Sequence, residues 1–199
     1  MIRVLLVHDV RILRYALAAL VDRAHDMAIE VAPWREALHL ASSSGTDVCV
    51  VDADHAGRTP LRELAGPSVR GTSLRLLVLV SQNSPGALRR ALDAGARGFV
   101  CKDALPELLL TGIRRVAEGE RFVDNALAST LLKASEVPLS ERELGVLSAV
   151  AEGASVAEIA RRLGLSAGTV RNYMSAITRK TGARNRVDAI RISQGAGWL

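Results

Sequence analysis

Short apolar runs alternate with longer amphipathic stretches from Met1 to about residue 120, and the alternation reads as strand followed by helix. The runs "IRVLLV", "MAIEVA", "DVCVVD", "LRLLVLV" and "GFVC" predict strands. Each is followed by a segment with helical spacing: "RILRYALAALVDRA", "REALHLASSS", "LRELAG", "PGALRRALDAG" and "PELLLTGIRRVAEG", with Gly45 and Gly95 as helix stops. "DVCVVD" and "LRLLVLV" are apolar almost throughout, the pattern of strands covered on both faces. Five such alternations predict an α/β unit with a parallel sheet and helices on both sides. In such sheets functional groups gather at the carboxyl edge of the strands.

Past Gly119 the pattern changes. "VDNALASTLLKA" predicts one more helix capped by Asp124, and "KASEVP" a connection between domains. From Leu139 the chain reads as all-α: "SERELGVLSAVAEG", "SVAEIARRLG", "SAGTVRNYMSAITRKTG" and "NRVDAIRISQ". Each begins on Ser or Asn and the first three end on Gly, so punctuation and periodicity agree. Ser140 to Glu143 has the spacing of a capping box. The expected organisation is a regulatory unit over 1–121, a connection with a helix over 122–138, and a helical unit over 139–199.

Composition adds limits. The chain has 199 residues and 49% hydrophobic content, enough for folded cores. No apolar run approaches the roughly 18 residues of a membrane span, and "MIRVLLVHDV" lacks the long apolar core and cleavage site of a secretory signal. A cytoplasmic protein without a membrane partner is expected. Cys49 and Cys101 lie in apolar strands, a setting for core packing and not for a metal cluster or disulfide framework. Net charge is +5, and it is unevenly spread: residues 161–199 hold eight Arg or Lys against the single acid Asp188. That local excess points to an acidic partner.

The basic segment coincides with a helix-turn-helix. In "SVAEIARRLGLSAGTVRNYMSAITRKTG" one helix, a tight turn through Gly164 and a second helix capped by Ser166 have the required spacing. Ala157, Ile159, Ala160, Leu163, Val170 and Ile177 would pack the pair together. The second helix exposes Thr169, Arg171, Asn172 and Ser175, then Arg179 and Lys180. Arg pairs with guanine and Asn with adenine in the major groove, whereas Ser166, Thr169, Arg179, Lys180 and Arg184 suit phosphates. A solvated basic face is the plainer alternative for one isolated helix. Turn, caps, exposed readers and charge occur together here, which favours DNA.

The segment from "PLSERE" to the end resembles the four-helix DNA-binding domain of the NarL/FixJ/LuxR regulators, notably in "LSERE", "EIARRLGLSAGTVRNY" and "KTGARNRVDA". The resemblance implies base-facing positions at Arg171, Asn172 and Ser175, promoter DNA as partner, and a homodimer formed through the last helix, Asn185 to Gln194. Tyr173 departs from the His often found there.

The first 120 or so residues resemble a response-regulator receiver, so the implied fold is a flavodoxin-like (βα)5 receiver followed by a LuxR-type helix-turn-helix domain. The receiver resemblance implies a phosphoacceptor at Asp52, a metal-binding acid at Asp9, a phosphate-pairing lysine at Lys102, a switch aromatic at Phe99, and Mg²⁺ as cofactor. Magnesium wants hard oxygen ligands, and with lysine it neutralises a phosphoryl group in transfer. Departures are substantial. His8 replaces one of the two acids, Val80 stands at the hydroxyl position, and Ser81 comes one residue late, which on an extended segment turns it to the other face. Ala56 replaces the proline expected after the acceptor. Asp9, Asp52 and the backbone carbonyl of Asp54 remain as a weak metal set, and a cationic His8 would repel Mg²⁺. His8 could instead pair with Asp52 or Asp9 and replace the metal.

These departures favour a transcription regulator whose receiver is controlled without ordinary phosphorylation, by a ligand, a protein partner or constitutive dimerisation. The alternative is a conventional two-component regulator phosphorylated on Asp52 by a histidine kinase. A small anionic effector would have His55, Arg58 and Lys102 within reach, and Trp34 and Phe99 as the few aromatic surfaces. An enzyme is disfavoured, since neither a Gly-rich phosphate loop nor a nucleophile elbow is found. An interaction module that has lost DNA binding would ignore changes at Arg171 and Asn172.

Overall fold

In the computed structural model, residues 1–43, 45–54, 58–64 and 74–199 are described, and the chain divides into two compact units, Met1–Leu131 and Leu132–Leu199. The first unit is built on five parallel strands, β1 (Ile2–Val7), β2 (Met27–Ala32), β3 (Val48–Asp52), β4 (Arg75–Val80) and β5 (Gly98–Cys101), in the order 2-1-3-4-5. Helices α1 (Arg11–Asp22), α2 (Trp34–Ser43), α3 (Arg58–Leu64), α4 (Pro85–Asp93) and α5 (Pro106–Ala117) connect and follow them. This is the flavodoxin-like arrangement that the alternating pattern predicts.

Side-chain alternation divides the core. Val4, Leu6, Val48, Val50, Leu77, Leu79 and Val100 pack on one face with Val21 of α1 and Leu109, Ile113 and Val116 of α5. Their neighbours Leu5, Val7, Cys49, Val51, Val78 and Val80 point the opposite way and are also buried, as are Ala37, Ala41, Leu61, Leu88 and Ala91 of α2, α3 and α4. Both cysteines belong to this interior, and burial pushes the Cys49 thiol up to about 12.

A sixth strand, β6 (Phe122–Val123), pairs in parallel with β5 inside the segment read as a connection. Two residues are too few to show an alternation, so the sequence pattern could not reveal it. Asp124 then caps a single 3-10 turn, Asn125–Leu127, by accepting the Ala126 amide, and α6 (Ala128–Ser135) follows. The predicted helix after Asp124 is thus a tight turn and a helix in succession, and "KAS" of the predicted connection is helical.

The second unit consists of α7 (Glu141–Ala151), α8 (Val156–Leu163), α9 (Ala167–Thr181) and α10 (Arg186–Gly195), preceded by the end of α6. Ser140, Ser155, Ser166 and Asn185 each accept a backbone amide at a helix start, and both Ser140/Glu143 and Ser155/Glu158 form complete capping boxes. Gly164 and Gly182 end α8 and α9 at φ of 64° and 66°, a left-handed backbone that favours glycine. Ile159, Val170, Ile177, Val146, Leu147 and Ala189 form the core, with Ala160 and Leu163 packed against it. Ala157 is exposed, contrary to the packing role read from the sequence, because its position on α8 faces away from α9.

Candidate functional site

All parallel strands deliver their carboxyl ends to one edge, and register puts Val7 beside Val51, Asp52 beside Leu79, and Val80 beside Cys101. The next residues after these ends are His8, Ala53, Ser81 and Lys102. His8 and Asp52 are buried, with side chains only 4% exposed, and His8 Nε2 lies 3.2 Å from Asp52 Oδ2. His8 Nδ1 accepts the Val10 amide at 3.0 Å, so that nitrogen holds no proton and the ring is the neutral form that donates Nε2–H to Asp52. The cationic His8 considered from the sequence is replaced by this neutral donor. Its pairing with Asp52 is the arrangement that places histidine where a metal ligand was expected.

Lys102 closes the other side. Its Nζ lies 2.6 Å from Asp52 Oδ1 and 2.7 Å from Asp54 Oδ2, while the Asp54 amide donates to Asp52 Oδ1 at 2.9 Å. Burial draws the Lys102 ammonium down, but its hydrogen bonds to Asp52 and Asp54, together with their charges, outweigh it and raise it above the ordinary lysine value.

Ser81 corrects an expectation. Its amide and hydroxyl both donate to Asp54 Oδ2, at 2.9 and 2.5 Å, so its side chain enters the pocket and does not point to the opposite face. The period-two rule ends with β4 at Val80, and Ser81 belongs to the turn. Val80 is fully buried. Burial pushes the Asp54 carboxyl up, but hydrogen bonds from Lys102, Ser81 and Ser84, together with the Lys102 charge, hold it below the ordinary aspartate value.

Asp9 is directed elsewhere. Its Oδ1 accepts the Trp34 amide at the start of α2, at 3.0 Å. With Asp9 at that amide, His8 on Asp52, and Lys102 between Asp52 and Asp54, the side chains do not fit the weak Mg²⁺ set expected from the sequence. Among the described residues, no three His, Cys, Asp or Glu side chains group to hold a metal ion. Phe99 is buried within β5, 2% exposed, in the position of a core residue. His55 and Ala56 lie outside the described residues; Arg58 begins α3.

On the second unit, α9 exposes Arg171, Asn172, Ser175 and Arg179. Ser166 caps the Thr169 amide at 3.0 Å and their hydroxyls lie 2.9 Å apart, while the Ser175 hydroxyl donates to the Arg171 carbonyl. These bonds fix the N-terminal half of the helix and leave its guanidinium and amide groups facing outward. Arg184 is 85% exposed and anchored through Asp188. Lys180, expected at phosphate, has its ammonium 2.8 Å from Glu143 Oε2, a carboxylate whose side chain is 5% exposed. Arg186, one of the eight basic residues of the segment but not among the expected DNA contacts, shares with Arg171, Ser155 and Ser175 the wall of a groove that crosses α8, α9 and α10. Its place at the first turn of α10 could be read from the sequence, but not its convergence on Arg171.

Residues 137–193 match the family described as bacterial regulatory proteins of the luxR family. The response regulator RamR of Streptomyces coelicolor is 47% identical, with 100% of this chain and 98% of RamR covered. The chain is a response regulator of the NarL/FixJ family. The transcriptional regulatory protein DesR of Bacillus subtilis is 34% identical over the whole of both chains. The fold is also that of RcsB from Salmonella typhimurium, with a TM-score of 0.68, 21% identity, and coverage of 96% of this chain and 98% of that structure. The receiver and helix-turn-helix units thus make a DNA-binding transcriptional regulator of two-component type, in a family of transcription regulators.

Proposed function

We propose that this response regulator binds promoter DNA as a homodimer, performs no catalysis, and is controlled without ordinary phosphorylation of Asp52. The observation that carries the control reading is the His8–Asp52 pair: a neutral imidazole donates to the acceptor carboxylate, and the neighbouring acid Asp9 is engaged at α2. Phosphoryl transfer to Asp would need a hard cation with oxygen ligands close to that carboxylate. Input then comes from a small effector, a protein partner or the dimer equilibrium itself. The DNA reading is supported by the exposed Arg171, Asn172 and Arg179 on a helix capped at its start by Ser166. Two-fold pairing would place two such helices on successive major grooves.

Retention of Asp52 and Lys102 at 2.6 Å favours a second reading, conventional phosphorylation of Asp52 by a histidine kinase. Calorimetric titration of the full chain with Mg²⁺ and beryllofluoride, beside an Asp52→Ala control, separates them. The first reading expects no saturable heat from a folded, DNA-binding sample. Saturable heat that disappears in the control establishes the second.

A further inference from the structure

The donors that converge at the carboxyl edge are an anion-binding set, and the anion they hold is part of the chain. An ammonium (Lys102), a backbone amide (Ser81) and a hydroxyl (Ser81) meet on one oxygen, Asp54 Oδ2, at 2.7, 2.9 and 2.5 Å. Three short donors on one oxygen are the arrangement by which proteins bind oxyanions, and charge-assisted bonds of this kind are the strong ones. A phosphoryl group on Asp52 would call on the same ammonium and the same turn. Asp54 has already taken them.

The turn that Asp54 holds has a second attachment. Gln82, next to Ser81, donates through Nε2 to the Ala126 carbonyl at 3.0 Å, and its own carbonyl accepts the Thr130 hydroxyl. Ala126 and Thr130 lie in the 3-10 turn and first turn of α6, the segment from which the chain passes into the second unit. Asp124, at the start of that segment, is buried and accepts the Cys101 amide at 3.1 Å, immediately before Lys102. The pocket therefore grips the exit segment from both β4 and β5.

We infer that Asp54 is a built-in substitute for a phosphoryl group, an internal carboxylate that keeps the turn after β4, and through Gln82 the exit segment 124–131, in one fixed arrangement. This rests on the phosphorylation-independent reading above and gives it a mechanism: the receiver is set by its own side chain. Any effector that reaches the pocket acts by competing for Lys102 and Ser81, so small oxyanions or carboxylates are the chemical class to expect.

The test is amide hydrogen exchange on the full chain, wild type against Asp54→Ala and Gln82→Ala, with acetate as the probe anion. Asp54→Ala is expected to speed exchange at 81–84 and at 124–131 by about tenfold or more, local opening being cheaper once the tie is gone. Added acetate should restore protection in Asp54→Ala and do nothing to the wild type. Gln82→Ala should loosen 124–131 and leave the Ser81 amide protected. Unchanged exchange at 124–131 in a folded Asp54→Ala overturns the inference, as does loosening that acetate never reverses. Should Asp54→Ala fail to fold, Asp54→Asn, which keeps the shape and loses the charge, serves with the same expected direction at reduced size, and no change in it overturns the inference. Treatment of the wild type with acetyl phosphate, read by intact mass, judges the underlying reading separately: a phosphoryl group gained on Asp52 refutes phosphorylation-independent control, while the exchange data alone decide whether Asp54 ties the exit segment.

Discussion

Replacing Lys180 with alanine separates two roles that a basic residue on a recognition helix can have. In the structure its ammonium is 2.8 Å from Glu143 Oε2, the same oxygen that accepts the Ser140 amide at 2.7 Å and hydroxyl at 2.9 Å. Glu143 is buried, so Lys180→Ala leaves a carboxylate with neutral donors only. A hydrogen bond to a charged group is worth about 1.5–3 kcal/mol. Lys180 is itself 39% exposed, and solvent screening reduces that to about 1 kcal/mol. For a unit of this size, 1 kcal/mol corresponds to a fall of roughly 4–8 °C in Tm. The chain has two tryptophans, Trp34 and Trp198, and the Trp198 indole donates to the Glu136 carbonyl within the second unit. Fluorescence-monitored urea unfolding in a Trp34→Phe background therefore reports that unit. Burial raises the Glu143 carboxyl, and hydrogen bonds from Lys180 and Ser140 more than reverse this, so the folded value lies below the ordinary 4.5. The contribution is thus present above 4.5 and is lost as pH falls through the lowered folded value, and the gap between variant and wild type should close in acid. Unchanged stability together with a smaller salt dependence of DNA binding would refute the argument and return Lys180 to the phosphate backbone.

Other outcomes follow from the same unit. Arg171→Ala should cost about 1–3 kcal/mol on a DNA fragment selected in vitro by the wild type and relax its base preference, whereas Arg179→Ala should weaken all sequences alike and reduce the salt slope by about one, both read by fluorescence anisotropy across a salt series. Asp188 accepts the Arg184 amide and the Arg191 and Arg184 guanidinium groups, which lower its carboxyl from 3.8 to about 2. Its stabilising effect is present above 3.8 and is lost between there and about 2, so Asp188→Asn should abolish the part of acid destabilisation that falls in this window, measured by circular dichroism against pH.

The helices of the second unit were legible because several local signals agree. Ser140, Ser155, Ser166 and Asn185 cap, Gly164 and Gly182 stop, and apolar spacing joins them. The sheet was legible for a similar reason: apolar runs such as "DVCVVD" are long enough to show their period. Strand β6 was not, since its two residues owe their pairing to β5 and not to any pattern of their own. At the site, the resemblance located His8, Asp52 and Lys102 correctly at the carboxyl edge, because strand ends are fixed by hydrophobic periodicity. It missed the direction of Ser81, which is set by a turn where the strand rule no longer holds. It also missed the partner of Lys180, since Glu143 is 37 residues away and only packing brings the two together. Asp54 was read for its backbone carbonyl alone; that its side chain folds back over Lys102 is a tertiary fact without local signature.

The departures in the receiver make sense as a set and mislead when taken singly. His8 for an acid removes a negative charge, which alone would leave Asp52 with less need of a metal and Lys102 with one partner. Asp54 restores a carboxylate, but on the opposite side of Asp52, next to Ser81. With His8 neutral, the cluster holds one cation and two anions, bridged by Lys102 at 2.6 and 2.7 Å and completed by donors from His8 and Ser81. Buried charges persist only when paired and hydrogen-bonded in this way. A metal at Asp52 Oδ2 would have to displace the His8 Nε2–H donor, and one at Asp54 Oδ2 the Lys102 ammonium. Val80 fits the same packing: at the end of β4 it is fully buried, and an apolar side chain fills that space at no polar cost, while the hydroxyl that reaches Asp54 comes from Ser81 in the turn.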